Sequence, residues 1–234
     1  MDLYRPFRSP QMEGGSEDVQ RRVLGTYASK RPQEQRSRWG LINGRIGGSM
    51  RVIVGITGAS GALYGWRLLE VLEKAGCEVH AVVSGTGWAV LEHECGVGRS
   101  EVAGRVFRLY AADDYGAAPA SGSFKADAMV VAPCSMRTLA AVANGLADNL
   151  LTRAADVTMK EGRKLVLVPR ETPLSAVHLE NMLKLARIGV RIVPASPGFY
   201  HNPQDIQALV DMMVGKVCDS LGVEHDLFRR WEGL

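Results

Sequence analysis

Six short, mostly apolar runs punctuate this chain: Val52–Ile56, Val79–Val83, Val106–Tyr110, Ala128–Ala132, Lys164–Val168 and Val190–Val193. Runs of this kind, without strict alternation, predict strands buried on both faces, as in a parallel sheet. Between them the apolar positions take helical spacing. After the first run, Tyr64, Leu68, Val71, Leu72 and Ala75 fall on one helical face, and Gly76 is placed to end the helix. Further helices are predicted over residues 88–94, 138–144 and 149–160, the last stopped by Gly162. Thr172 as cap and Pro173 at the first turn predict a helix to about Arg187, closed by Gly189. Asn202 and Pro203 open a final amphipathic helix to about Leu221. The alternation predicts one α/β domain, a doubly wound parallel sheet between two helical layers, hence a three-layer sandwich.

Small or polar clusters follow the strands: Thr57-Gly58-Ala59-Ser60-Gly61, Ser84, Pro133-Cys134-Ser135, Pro169-Arg170-Glu171 and Pro194 through His201. In a doubly wound sheet the carboxyl ends of the strands form the ligand-binding edge. One glycine turn alone would equally suit a plain βα connection. Five clusters on one edge predict a site. At the first turn the helix-start amides are expected to face outward unpaired, ready for an anion such as phosphate.

Composition narrows the class without naming a ligand. At 234 residues with 46% hydrophobic and 23% charged positions, the chain suits one soluble globular domain, with or without a tail. The net charge of +3 is uneven. Residues 1–49 hold nine Lys or Arg against five Asp or Glu, and the remainder holds 19 against 20. A near-neutral domain gives no sign of a nucleic-acid face. Residues 1–49 lack apolar periodicity and end in Gly47-Gly48-Ser49, so they are expected to form a disordered, dispensable extension, with the folded domain spanning 50–234 from Met50. Glu13, Glu17, Asp18 and Glu34 argue against an organelle transit peptide. No secretory signal or membrane-spanning run is evident, which predicts a cytoplasmic protein. Cys77, Cys95, Cys134 and Cys218 make no CxxC pair, and the five histidines form no HxxH or HxxxH pair, so no metal site is expected.

A dinucleotide site would want GxGxxG and an acid after the second strand; TGASG and Ser84 favour a mononucleotide instead. The turn from Pro133 to Thr138 suits a flat polar ring such as a flavin. Cys134 reads as a buried small residue rather than a catalytic thiol, because no histidine can be placed beside it. Arg153 and Lys160, seven apart, share a helical face. Arg170 and Glu171 stand at a strand end; with Tyr200 they suit a second phosphate, leaving Glu171 for proton transfer.

The blocks TGASGALYG, PASGS, VAPCSMRTLAAVA, LLTRAADVTMKEGRKLVLVPRETPLSAVHLENMLKL and PASPGFYHNPQ closely resemble the UbiX-like flavin prenyltransferases, over essentially Met50–Leu234. The resemblance implies a flavodoxin-like, Rossmann-like fold in a homododecamer with FMN at subunit junctions. It implies metal-independent transfer of a dimethylallyl group from dimethylallyl monophosphate to reduced FMN, at N5 and C6. The product, prenylated FMN, would serve UbiD-type decarboxylases. By motif position, Gly58, Ala59, Ser60, Ser84, Ser135, Met136, Arg137, Thr138 and Arg153 would contact FMN. Lys160, Arg170 and Tyr200 would hold the substrate phosphate, and Glu171 would act as acid/base, with Ser60 helping to place the phosphate. Arg137 stands where many relatives have lysine. Lys216 stands where relatives carry a phosphate-binding arginine; it keeps the charge and loses the bidentate fork. The alternatives are an FMN-dependent decarboxylase of cysteine-derived acids on the same fold, and a non-catalytic flavin carrier.

Overall fold

The computed structural model describes residues 49–233 of the protein; the expected N-terminal extension otherwise lies outside them. Strands β1 (Arg51–Ile56), β2 (Glu78–Val83), β3 (Arg108–Tyr110), β4 (Ala128–Cys134), β5 (Lys164–Pro169) and β6 (Arg191–Ile192) form one sheet. Its order is β3-β2-β1-β4-β5-β6, and every pairing is parallel. The helices are α1 (Ala62–Lys74), α2 (Gly85–Cys95), α3 (Arg99–Arg105), α4 (Met136–Ala143), α5 (Leu150–Lys160), α6 (Ala176–Arg187) and α7 (Ile206–Leu221).

Alternate strand residues feed two separate cores, which is what a sheet covered on both faces requires. Val52, Val54 and Ile56 of β1, with Val130 and Val166, meet Leu68 and Leu72 of α1, Leu91 of α2 and Val214 and Leu221 of α7. On the opposite face Ile53, Met129, Val131 and Leu167 meet Leu139 of α4, Leu150, Leu151 and Ala154 of α5 and Leu185 of α6. Burial of each such side chain is worth about 1.5–3 kcal/mol. The predicted three-layer, doubly wound architecture is the one observed.

Several boundaries differ from the sequence expectation. The helix expected to be capped by Thr172 begins at Ala176, because the Ser175 hydroxyl accepts the His178 amide at 3.3 Å. Likewise the last helix starts at Ile206, where the Asp205 carboxylate accepts the Ala208 amide at 2.8 Å, and Asn202 instead takes a left-handed φ of 54°. Helix α3 was not expected at all; its seven residues bury only Val102, too little to print a helical period.

Near the amino ends of the strands a polar network closes the sheet. Arg51 Nε donates to Glu78 Oε1 at 2.6 Å, and His80 Nε2 meets the same oxygen at 2.9 Å. The buried His80 ring meets the Tyr110 hydroxyl at 2.9 Å through Nδ1. Burial pushes the Glu78 carboxyl up, but the bonds from His80 and Arg51 outweigh it and lower the group from 4.5 to about 2. A carboxyl depressed by folding contributes stability above its unfolded value and loses it as pH falls through the folded one. Acid titration of stability should therefore steepen between pH 4.5 and about 2, and Glu78→Gln should flatten that slope. Equal slopes in the two proteins would exclude Glu78 as its source.

Candidate functional site

Strands β1 and β4 lie side by side at the centre, and their chains leave for opposite faces, to α1 and α4. This divergence opens a crevice at the carboxyl edge. Thr57, 1% exposed, ties its two walls together. Its hydroxyl donates to the Pro133 carbonyl at 2.8 Å and accepts the Ser135 amide at 2.8 Å, while its own amide donates to the same carbonyl at 3.3 Å.

From that clamp the hydroxyl residues take their places. Ser135 caps α4 by accepting the Thr138 amide at 3.3 Å and donates to the Thr138 hydroxyl at 3.1 Å. Ser84 caps α2 by accepting the Gly87 amide at 3.0 Å and lies 3.3 Å from the Thr86 hydroxyl. Helix geometry leaves the first amides of α2 and α4, including those of Met136 and Arg137, without intrahelical acceptors. Gly58 fits here by close approach: a Cβ would stand 2.4 Å from Thr86 Oγ1. Of the two loop glycines, Gly61 is the one with left-handed φ, 101°.

The amides at the start of α1 are not free, contrary to the sequence expectation. Glu94, in the last turn of α2, accepts the Gly61 amide at 2.9 Å and the Ala62 amide at 2.8 Å. Burial raises its carboxyl, but the Ser60 hydroxyl, both amides and the Arg170 charge outweigh burial and hold it below the usual value. Arg170 Nε in turn donates to the Ser60 carbonyl at 2.9 Å. Tyr64, whose ring fills the space a Gly61 side chain would need, has its hydroxyl raised by burial and lowered in part by Arg170. Ser60, Glu94, Arg170 and Tyr64 thus form one group. Glu94 escaped the sequence reading because no local motif links it to a loop 33 residues earlier.

A second group lies on α5. Arg153 Nε donates to the Ala120 carbonyl at 3.1 Å and Nη1 meets Asp156 at 2.7 Å. Lys160 pairs with Glu161 at 2.5 Å, and a Cβ on Gly122 would stand 2.9 Å from Lys160 Nζ. Both cations, predicted to share a face, therefore reach one loop, 118–124. Arg137 extends to Asp148 at 3.0 Å on the surface.

Remaining candidates sit apart. Glu171 is exposed and accepts the Thr172 amide at 3.0 Å. Tyr200, 46% exposed, packs its edge on Trp231 at a centroid distance of 5.7 Å. Lys216 Nζ lies 3.8 Å from Asp219. Cys134 is fully buried, and desolvation pushes its thiol up to about 12, so it stays protonated. Among the described residues no group of three His, Cys, Asp or Glu is disposed to hold a metal.

The donor set suits a flavin mononucleotide: cap hydroxyls and open helix-start amides for polar edges and phosphate, gathered at the carboxyl edge of β1, β2 and β4. The family described as Flavoprotein matches residues 43–220. A flavin prenyltransferase UbiX of Halalkalibacterium halodurans is 50% identical over 188 residues, covering 76% of this chain and 91% of the relative. Among solved structures, AnUbiX (PadA1) in complex with FMN and dimethylallyl pyrophosphate is similar at 42% identity and a TM-score of 0.78, covering 80% of this chain and 99% of that one. A dodecameric FMN-dependent UbiX-like decarboxylase from Escherichia coli O157:H7 is 48% identical with a TM-score of 0.77, covering 79% and 100%.

Removing the clamp should be felt at once. Thr57→Val keeps the shape but strips the Ser135 amide of its acceptor, and should cost about 1–3 kcal/mol in denaturant unfolding. Thr57→Ser should restore most of that; an unchanged midpoint in the valine variant would show that the clamp bears no load.

Proposed function

This chain belongs to the UbiX-like flavin prenyltransferases, and on that premise we propose that it joins the dimethylallyl group of dimethylallyl monophosphate to reduced FMN, forming prenylated FMN. The observation that carries the reading is the convergence of Arg170 on the Ser60 carbonyl, which sets a cation beside the glycine turn at the crevice; Glu171 follows it in the chain and is the group we assign to proton transfer.

Reduced FMN supplies the two nucleophilic positions, N5 and C6. Everything else falls to side chains. Ser84, Ser135, Met136, Arg137, Thr138 and Arg153, with Gly58, Ala59 and Ser60, are the residues we assign to holding it, through cap hydroxyls, helix-start amides and positive charge. As the allylic C–O bond breaks, its electron pair leaves with the phosphate, so negative charge grows there. Arg170, Lys160, Tyr200 and Lys216 are assigned to that charge, and donors placed in advance lower the barrier because they need not reorganise. The C–O bond breaks as N5 bonds the allylic carbon and gives up its proton. The second bond, to C6, uses the prenyl double bond, whose inner carbon takes up one proton while C6 releases one, and the proton released from C6 passes to Glu171. The exposed position of Glu171 lets it return that proton to water.

Arg170, Lys160 and Tyr200 occupy separate groups within one chain. Assembly brings such groups together, and α6 offers a surface for it: Val177, Leu179 and Leu183 are 63, 52 and 50% exposed and only Leu185 of that helix is buried. Leu179 and Leu183, four residues apart, share one face and Val177 lies on another, and exposed apolar side chains in that number suit an interface. We infer a homododecamer, with FMN at subunit junctions, and a UbiD-type decarboxylase as recipient of the product. A cytoplasmic location accords with four free cysteines, three of them buried, and with the lack of any membrane-length apolar helix among the described residues. A decarboxylase of cysteine-derived acids, or a carrier, would leave the cations and Glu171 without a task.

Anaerobic incubation with reduced FMN and dimethylallyl monophosphate should yield a flavin heavier by one C5 unit; bound FMN of unchanged mass would defeat the proposal. Glu171→Gln should bind FMN as the parent does and stall alkylation. Lys160→Ala or Arg170→Ala should cost about 2.7–4 kcal/mol of transition-state stabilisation.

A further inference from the structure

Beyond α7 the chain turns at Gly222, φ 85°, and runs back along the helix. Val223 and Leu227 pack it on the core, and a single carboxylate gathers its charged contacts. Asp219 accepts Arg230 through both oxygens, at 2.7 and 3.2 Å, and its Oδ1 also meets His225 Nε2 at 3.1 Å. The Leu227 amide donates to His225 Nδ1 at 3.3 Å, which leaves Nε2 as the protonated nitrogen facing the carboxylate. The His225 side chain is 2% exposed. Gly215 provides the seat, since a Cβ there would stand 2.5 Å from Phe228 and 2.7 Å from His225. A bidentate guanidinium on a carboxylate, backed by a buried imidazole, is far more directional than a lone surface pair.

The held segment ends on a residue assigned to the substrate phosphate, Tyr200. Arg230 is followed by Trp231, whose ring meets Tyr200 edge-on at 5.7 Å and 80°. Lys216 lies on the same carboxylate, 3.8 Å away. We propose that Asp219 is a positioning residue for Tyr200: by holding residues 225–231 against α7 it keeps Trp231 on the tyrosine ring and so orients the hydroxyl toward the substrate phosphate. This rests on the assignment of Tyr200 to that phosphate. Plain fastening of a chain end would need the Arg230 fork, and nothing would require the fastened segment to finish on a site residue.

The test uses the full chain with 3-fluorotyrosine incorporated, the Tyr200 resonance being identified by its loss in Tyr200→Phe. In Asp219→Asn the Tyr200 fluorine signal should shift and amide exchange over 227–231 should quicken. KM for dimethylallyl monophosphate should rise about fivefold or more, the scale of losing one good charged pair, and kcat should fall because Tyr200 also faces the charge that grows on the phosphate, with FMN affinity little changed. Asp219→Glu should restore part of the effect. Faster exchange with an unmoved Tyr200 signal overturns the proposal, because the segment would then be fastened without positioning the ring. Unchanged exchange overturns it as well. Should Tyr200→Phe leave KM unaltered, the phosphate assignment of Tyr200 fails instead; the fluorine and exchange readouts need no substrate and still judge the link from Asp219 to the ring.

Discussion

The hydroxyl of Thr57 is the interaction on which the site depends. A parallel sheet wound in both directions must part its connections where the winding reverses, and at that point backbone groups lose their ladder partners while remaining buried. One threonine side chain supplies both a donor, to Pro133, and an acceptor, for Ser135. Fixing the Ser135 amide fixes the cap of α4, and fixing the start of the β1 turn lets Gly58 lie against Thr86 at the start of α2. Three helix starts are thereby referred to one hydrogen-bonded centre.

Most of the fold was legible because its physics is periodic. Strands buried on both faces must be apolar at every position, and β1, β2, β4 and β5 are so nearly that their ends could be read off to within a residue or two. The edge strands β3 and β6 are short and partly exposed, so their bounds were less distinct. Caps were harder. Thr172 and Ser175 are both plausible oxygens in front of the same helix, and only the approach of the His178 amide decides between them.

The site itself was legible as a set of strand-end residues and illegible as a set of contacts. Arg153 and Lys160 could be paired by helical spacing, and both indeed reach the 118–124 loop. Glu94 and Asp219 could not, since each acts on residues brought near by the fold or by a returning tail, and a carboxylate in the last turn of a helix looks like ordinary surface charge. What distinguishes the two is the number of donors each collects: two amides and a hydroxyl for Glu94, an arginine fork and an imidazole for Asp219.

Glu94 gives the β1 turn an unusual selectivity. Glycine turns at helix starts attract anions because their dipoles and amides carry unsatisfied positive charge. Here that charge is already answered by a resident carboxylate fixed to the protein, and Arg170 stands on the far side of Ser60 as its counterweight. An incoming dianion would meet repulsion at the turn and attraction just beyond it. The positive end of α1 is thus largely answered from within the protein, and of the three helix starts at this edge those of α2 and α4 are the ones left with amides to offer.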